Sequence, residues 1–177
     1  MTYAVLKSGS RRVWLGGNIG GSLLPQLPEI RPEDLVVLEV SSFQLTRMRT
    51  LKGLWGAALT NLSPNHLDWH GSLDGYFGAK MRLLGAVPPE GFCLLNHDDP
   101  ATRTTVGNNY PFTRWLSRQE TVSQGYAWQG REIWRVRDGA KTRVGALDDL
   151  AIPGDCNRAN ALMALAIWKR PAPNSRS

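Results

Sequence analysis

A run of apolar residues that leads directly into polar ones constrains this chain more than any other feature. Residues 35–38 read Leu-Val-Val-Leu, and Asp34 and Glu39 bound them. Because both faces of such a strand are apolar, the pattern predicts a strand buried on both sides. Ligands of open parallel α/β sheets bind beyond the carboxyl ends of the strands. The carboxylate, hydroxyl and amide side chains of residues 39–44 are therefore predicted to form a binding site.

Short apolar runs alternate with helical patterns along most of the chain. Strands are predicted at residues 13–15, 35–38, 57–61 and 92–95, and helices at 42–48, 72–84 and 157–168. Farther along, alternating segments at residues 122–128 and 132–137 flank a glycine turn and predict a hairpin. The predicted fold class is α/β, with a mostly parallel, Rossmann-like sheet, flanking helices and a small antiparallel subsheet.

Composition is that of an ordinary soluble domain. The chain has 177 residues, of which 42% are hydrophobic and 20% charged. Because it lacks an apolar run of the ~18–20 residues that a span requires, we predict no membrane span and a cytoplasmic location. The net charge of +6 comes from scattered basic residues, so no nucleic-acid partner is expected. Cys93 and Cys156 have no metal or disulfide spacing, and the strand around Cys93 predicts a buried thiol.

Three potential metal ligands lie close together at His66, Asp68 and His70. On a helix, histidines four residues apart share a face, as they do in some zinc sites. Pro64 makes a regular helix uncertain, and a zinc site needs three or four ligands. A metal-dependent hydrolase and a purely structural role for these polar side chains both stay open at this point.

Lys80 and the glycine-rich segment 16–21 each have two interpretations. Lys80 lies on the apolar face of its predicted helix, so its amine either reaches water along an apolar stem or is buried and functional. Four glycines in segment 16–21 form either a tight turn or a phosphate cradle built from backbone N–H groups. The phosphate-loop pattern Gly-x-x-x-x-Gly-Lys-Ser/Thr is absent from the sequence.

Taken together and in order, several segments resemble the Mur ligase family, and within it the D-glutamate-adding members. The segments that carry the resemblance are residues 16–20, 39–45, 61–68, 96–99 and 154–160, together with Tyr76 and the Ala79-Lys80 pair. The resemblance implies a ligase that uses ATP and Mg²⁺. It also implies two small-molecule substrates, UDP-N-acetylmuramoyl-L-alanine and D-glutamate, joined through an acyl phosphate in peptidoglycan precursor synthesis.

The same resemblance assigns roles to individual residues. The implied metal positions are Glu39, His66 and Lys80, of which His66 and Lys80 are also catalytic. Lys80 matches the family lysine that carbon dioxide carbamylates, a change that turns a cation into a metal-binding anion. The implied substrate-side positions are Asn18, Ser41 and Gln44. The implied ATP-binding positions are Asn157 and Asn160, whose amides suit a base edge because each offers a donor and an acceptor.

Compared with the family pattern, this chain also shows several departures. Residues 1–168 are expected to form part of the central ATP-binding domain, without its phosphate loop or the N-terminal domain. Residues 169–177 are expected to be a disordered tail, with the C-terminal domain missing. Asn65 and Cys156 stand where the family has an aspartate and a histidine. We therefore expect this chain alone to be inactive, and a non-catalytic remnant of such a ligase is the alternative. The sequence makes no prediction of the oligomeric state.

Overall fold

The computed structural model describes residues 1–63, 67–107, 109–110, 112–146 and 154–169, except for the side chains of Leu67 and Asp155. The strands are β1 (Val13–Gly17), β2 (Leu35–Glu39), β3 (Gly56–Leu59), β4 (Phe92–Asn96), β5 (Thr113–Ser117), β6 (Gly125–Gln129), β7 (Glu132–Arg137) and β8 (Ala140–Ala146). The α-helices are α1 (Thr2–Lys7), α2 (Ser42–Arg47), α3 (Leu67–His70), α4 (Leu73–Gly85), α5 (Pro100–Val106) and α6 (Asp155–Trp168). A 3₁₀ helix covers Leu24–Glu29.

The strands form two sheets. β1 and β2 pair in parallel, and β3 to β8 follow one another in a second sheet in chain order. In that sheet β3 to β6 run parallel, while β7 and β8 add antiparallel strands at one edge. The predicted α/β class, with a mostly parallel sheet and a small antiparallel part, is confirmed. The division into two sheets was not predicted from the sequence.

Strand β2 is less buried than its apolar sequence predicts. Val36 and Leu38 are 43% and 51% exposed, although both belong to the apolar run. Their partners in β1 are Trp14 and Gly16, and Leu23 lies against Gly16. The prediction of a strand buried on both faces is therefore wrong for β2 within the described residues. An apolar sequence pattern does not predict the exposure of these side chains, because burial depends on which other elements cover each face of the strand.

The second sheet is covered on both faces. Along β4, Phe92 and Leu94 belong to a cluster with residues of α6, while Cys93 and Leu95 belong to another with residues of α4 and α5. This alternation is the two-residue period of a strand between two helical layers. Cys93 is fully buried, as predicted, and burial raises the pKa of its thiol to about 11.

The Arg82 side chain of α4 connects α4 to helix α2. Arg82 of α4 donates from Nη1 to the carbonyl oxygens of Leu45 and Thr46, at 2.5 and 3.2 Å, and from Nη2 to that of Met48, at 2.5 Å. The last carbonyls of a helix have no partners within the helix, and a cation there also interacts favourably with the negative end of the helix dipole. Arg82 thus fixes the end of α2 against α4.

The local turn signals of the sequence are largely confirmed. Ser72 caps α4 by accepting a hydrogen bond from the backbone nitrogen of Gly75 at 3.0 Å. Gly130 lies in the β6–β7 turn, and Asp138 and Gly139 form the β7–β8 turn, all with positive φ. A 3₁₀ helix begins after Leu23, and Ser22 Oγ accepts a hydrogen bond from the Leu24 backbone nitrogen at 3.2 Å. None of the helices in the described ranges has the length and apolar character needed to cross a membrane.

Candidate functional site

The carboxyl end of β2 brings two predicted site residues together. Asn18, just after β1, donates from Nδ2 to Oε1 of Glu39 at 3.2 Å. Its backbone nitrogen also donates to the Glu39 carbonyl at 2.7 Å. Gly17 makes this approach possible, because its φ is +98° and a Cβ there would lie 2.2 Å from the Glu39 oxygen. The predicted substrate-side Asn18 and the predicted metal ligand Glu39 are therefore neighbours at the end of a parallel strand pair.

Ser41 and Gln44 form a reciprocal capping box at the start of α2. Ser41 Oγ accepts from the Gln44 backbone nitrogen at 3.3 Å, and Gln44 Oε1 accepts from the Ser41 backbone nitrogen at 2.8 Å. Ser41 Oγ also lies 3.1 Å from Gln44 Oε1. This arrangement satisfies backbone donors at a helix start. It gives both residues a structural role, and their predicted contact with substrate stays a prediction.

His70 lies inside an aromatic cluster that packs around the start of α2. Its Nε2 is 3.0 Å from the Oγ of Ser42, which is buried. Ring centroids of Phe43, Trp69 and Tyr76 lie 5.6, 4.8 and 5.4 Å from that of His70. These contacts give His70 a packing role and a hydroxyl partner. His66 and Asn65, which the sequence placed at the same site, lie outside the described residues.

Lys80 projects from α4 on the same side as Tyr76. Its Nζ lies 5.2 Å from the centroid of the Tyr76 ring, a cation–π distance, and the residue is half-buried. Neighbouring Ala79 is buried in the helix face. The amine therefore lies against an aromatic ring at the edge of the protein interior. Its carbamylation stays a prediction.

The chemistry of the described donors is compatible with Mg²⁺. Glu39 is exposed and offers carboxylate oxygens, which are the ligands that Mg²⁺ prefers, and a carbamylated Lys80 would add further oxygens. Across the described ranges, no three His, Cys, Asp or Glu side chains are grouped closely enough to hold a metal ion. Any site of the predicted kind therefore needs His66, from the undescribed segment, or ligands from substrate and water.

A second candidate site is a cleft where strands β3, β4 and β5 end beside α6. Its lining residues are Thr60, Asn96, Asp98, Leu116, Arg118, Ala159, Asn160, Leu162 and Met163. Asn160, predicted to bind ATP, is therefore part of a mixed polar and apolar cleft. The other predicted ATP-binding residue, Asn157, lies one turn earlier on α6 and is exposed. The structure brings Asn160 together with side chains from three strand ends that the sequence left unassigned.

The segment after β4 organises this cleft. Asn96 Nδ2 donates to the Thr60 carbonyl at 3.0 Å, and Asn96 Oδ1 accepts from the Asp98 backbone nitrogen at 3.0 Å. Asp98 in turn accepts from the Arg118 backbone nitrogen at 2.8 Å. One polar loop therefore joins the carboxyl ends of β3, β4 and β5. In the sequence this loop is marked by four polar residues, 96–99, directly after a predicted buried strand. The family resemblance includes these residues but gives them no role.

Asp99 completes the connection. It caps α5, accepting from the Thr102 backbone nitrogen at 3.1 Å, and its Oδ2 also accepts from the Leu62 backbone nitrogen at 2.8 Å. Leu62 is fully buried and precedes the segment that carries His66. A single carboxylate therefore links the segment after β3 to the start of α5.

The fold is similar to that of Mur ligases of known structure. MurF of Thermotoga maritima, solved in complex with ADP, aligns with a TM-score of 0.62 and 19% identity over 95% of this chain and 41% of that one. MurF of Acinetobacter baumannii aligns with a TM-score of 0.61 and 17% identity over 94% of this chain and 38% of that one. At these identities the likeness defines the fold.

Sequence comparison defines the family. Residues 20–168 match the Mur ligase middle domain. The UDP-N-acetylmuramoylalanine–D-glutamate ligase of Acetivibrio thermocellus is 38% identical over 94% of this chain. The enzyme of the same name from Pelotomaculum thermopropionicum is 33% identical over 98% of it. The chain belongs to the Mur ligase family, and it spans 35% and 38% of the lengths of these two relatives. These relatives are named as ligases, so the alternative of a metal-dependent hydrolase has no support.

Proposed function

We propose that this chain supplies part of the central domain of an ATP-dependent ligase that joins D-glutamate to UDP-N-acetylmuramoyl-L-alanine. The observation that carries the proposal is the position of the family-matched residues. Glu39 and Asn18 meet at the end of β2, and Asn160 lies in the cleft at the ends of β3 to β5. The names of the relatives, at 33–38% identity, supply the substrates. The proposed location is the cytoplasm, where these precursors are made.

The proposed chemistry is phosphoryl transfer from ATP to the substrate carboxylate, followed by attack of the D-glutamate amine on the acyl phosphate. Such a reaction requires neutralisation of clustered negative charge, which Mg²⁺ supplies when bound. Glu39, His66 and a carbamylated Lys80 are the proposed metal ligands. Asn160 and Asn157 are proposed to contact the adenine, and Asn18, Ser41 and Gln44 the muramoyl-alanine portion.

The proposal is tested by a chimera. Residues 11–168 of this chain would replace the matching segment of the Acetivibrio thermocellus relative, and ADP release would be measured with both substrates and ATP. We expect activity that depends on D-glutamate, a higher KM for ATP in Asn160→Ala, and a lower kcat in Glu39→Gln. A chimera that folds and purifies as the parent enzyme does but releases no ADP would contradict the proposal and support the non-catalytic remnant.

The chain by itself gives the complementary measurement. We expect no ADP release from the purified 177-residue protein, since the sequence contains no phosphate-loop pattern. ADP release that requires both UDP-N-acetylmuramoyl-L-alanine and D-glutamate would overturn this expectation. The same assay on the Cys156→His variant in the chimera would show whether the exposed Cys156, where the family has a histidine, weakens the ATP side of the site.

A further inference from the structure

Arg118 occupies a position in the strand-end cleft that the family resemblance does not assign. It follows β5 directly, lines the cleft and is half-buried. The backbone around it is held firmly. Asp98 accepts from the Arg118 backbone nitrogen at 2.8 Å and from Ser117 Oγ at 2.5 Å.

Ser117 closes the loop that follows Arg118. It is 1% exposed, and its Oγ accepts from the backbone nitrogens of Gln119 and Glu120, at 3.1 and 2.9 Å. Buried polar groups that are satisfied in this way specify one local conformation. The start of the Arg118 side chain is therefore fixed relative to Asn96 and Asp98.

The charges around the cleft favour a neutral ligand group over a phosphate. Among the lining residues the carboxylate of Asp98 offsets the guanidinium of Arg118, so the lining carries no net positive charge that would attract an anion. The other polar liners, Thr60, Asn96 and Asn160, are uncharged and offer both donors and acceptors, as the edge of a nucleobase requires. Leu162 and Met163 add apolar wall, against which the face of a base can pack.

We propose that Arg118 contacts the nucleobase of the bound nucleotide, its planar guanidinium stacking on the ring, while Asp98 positions the residue through its backbone nitrogen. A guanidinium stacks on aromatic faces as well as pairing with anions, and an ammonium lacks the planar surface. This inference rests on the proposed function, because it takes the cleft to be the nucleotide site.

Titration of the ¹⁵N-labelled chain with adenosine, which carries a base and no phosphate, tests the inference. We expect adenosine to shift the side-chain signals of both Asn160 and Arg118. Arg118→Ala and Arg118→Lys should each weaken adenosine binding about five- to tenfold, because both lose the planar group. Arg114→Ala is the matched control, since Arg114 is a half-buried arginine of β5, the strand that Arg118 follows, and it donates to the Thr113 carbonyl, away from the cleft. It should bind adenosine like the unaltered chain.

Ribose 5-phosphate, which has a phosphate and no base, separates stacking from charge pairing. We expect Arg118→Ala to leave its binding unchanged. Retained adenosine affinity in Arg118→Lys, with ribose 5-phosphate binding lost in Arg118→Ala, would overturn stacking in favour of phosphate pairing. An Asn160 shift with unaltered affinity in both Arg118 variants would overturn the inference and leave the proposed function standing. No adenosine response at either residue would overturn both the inference and the nucleotide placement beneath it.

Discussion

Ser42 and His70 are joined by a 3.0 Å hydrogen bond between Oγ and Nε2, across a partly buried contact between the start of α2 and the end of α3. The pair connects two segments that each carry predicted site residues. Ser42 directly follows Ser41 of the capping box, and His70 is four residues after His66. The sequence alone does not reveal this contact between the two segments.

Removal of this bond should destabilise the chain measurably. Ser42→Ala leaves a polar nitrogen of His70 without its hydroxyl partner, and we expect a loss of about 1 kcal/mol in the free energy of unfolding. Urea denaturation followed by tryptophan fluorescence measures it. His70→Gln, which keeps a side-chain polar group in reach, should lose less than His70→Leu. Equal losses in the two His70 variants would show that packing, and not the hydrogen bond, holds this contact.

Arg82 should matter for the same region from the opposite end of α2. Its guanidinium donates to three carbonyls at the end of that helix, and Arg82→Ala leaves them to water. We expect a loss of about 1–2 kcal/mol in unfolding free energy, with a smaller loss for Arg82→Lys, since a lysine reaches fewer acceptors at once. Arg135→Ala, at an exposed position of β7, is the control and should change stability little. A neutral result for Arg82→Ala would contradict the role assigned to it.

Gly125 should tolerate no side chain. Its φ is +141°, and a Cβ there would lie 1.8 Å from the Trp115 carbonyl oxygen in the neighbouring strand. We expect Gly125→Ala to cost at least about 3 kcal/mol, because β5 and β6 would have to separate. Gly78→Ala is the matched control. Gly78 lies in α4 with open space around it, and the substitution should stabilise the helix by about 0.5–1 kcal/mol. Thermal melts of both variants provide the comparison.

Cys93 should make stability depend on pH at the alkaline end. Burial raises the pKa of its thiol to about 11, from an ordinary value of 9.0. Between about pH 9 and 11 the unfolded thiol loses its proton while the folded one keeps it, so stability falls as the pH rises through this window. The loss should be smaller in Cys93→Ala, compared at each pH with its own value at pH 7. Identical pH profiles would show that Cys93 does not contribute.

The same burial predicts a difference between the two thiols. Cys156 is exposed on α6, whereas Cys93 is enclosed in β4. We expect a thiol reagent to label one cysteine per chain under native conditions at pH 8 and both after unfolding, because the thiolate is the reactive form and access is required. Labelling in Cys156→Ser should then be absent until the chain unfolds.

Much of the fold follows from local pattern. The clearest helix, residues 72–84, matches α4 with Ser72 as its cap, because capping and helical spacing act within a few residues. The strand and hairpin around Gly130 also followed from the two-residue period and a turn glycine. Helix α1 was not predicted. It packs against α6 and β1, so its stability comes mainly from tertiary contacts and not from a strong local signal.

The predicted sites divide in the same way. Asn18 and Glu39 were both predicted at strand ends, and they are hydrogen-bonded there. The capping role of Ser41 and Gln44, in contrast, is known only from the structure of α2. Arg118 and Asp98 could not be assigned from the sequence, because their proximity comes from the parallel pairing of β4 with β5. Residues distant along the chain become a site only through strand order, which no local pattern encodes.

The sequence by itself determined several of the strands and helices, the family and the polar segment that begins at Glu39, because these depend on periodicity and on motifs in register. Only the tertiary structure decided how much of the apolar run at residues 35–38 is buried. Val36 and Leu38 are apolar, yet both are exposed on the β1–β2 pair in the part of the chain that the structure describes. The physical reason is that hydrophobic pattern records a residue's preference for burial, whereas burial itself requires another element to pack against that face.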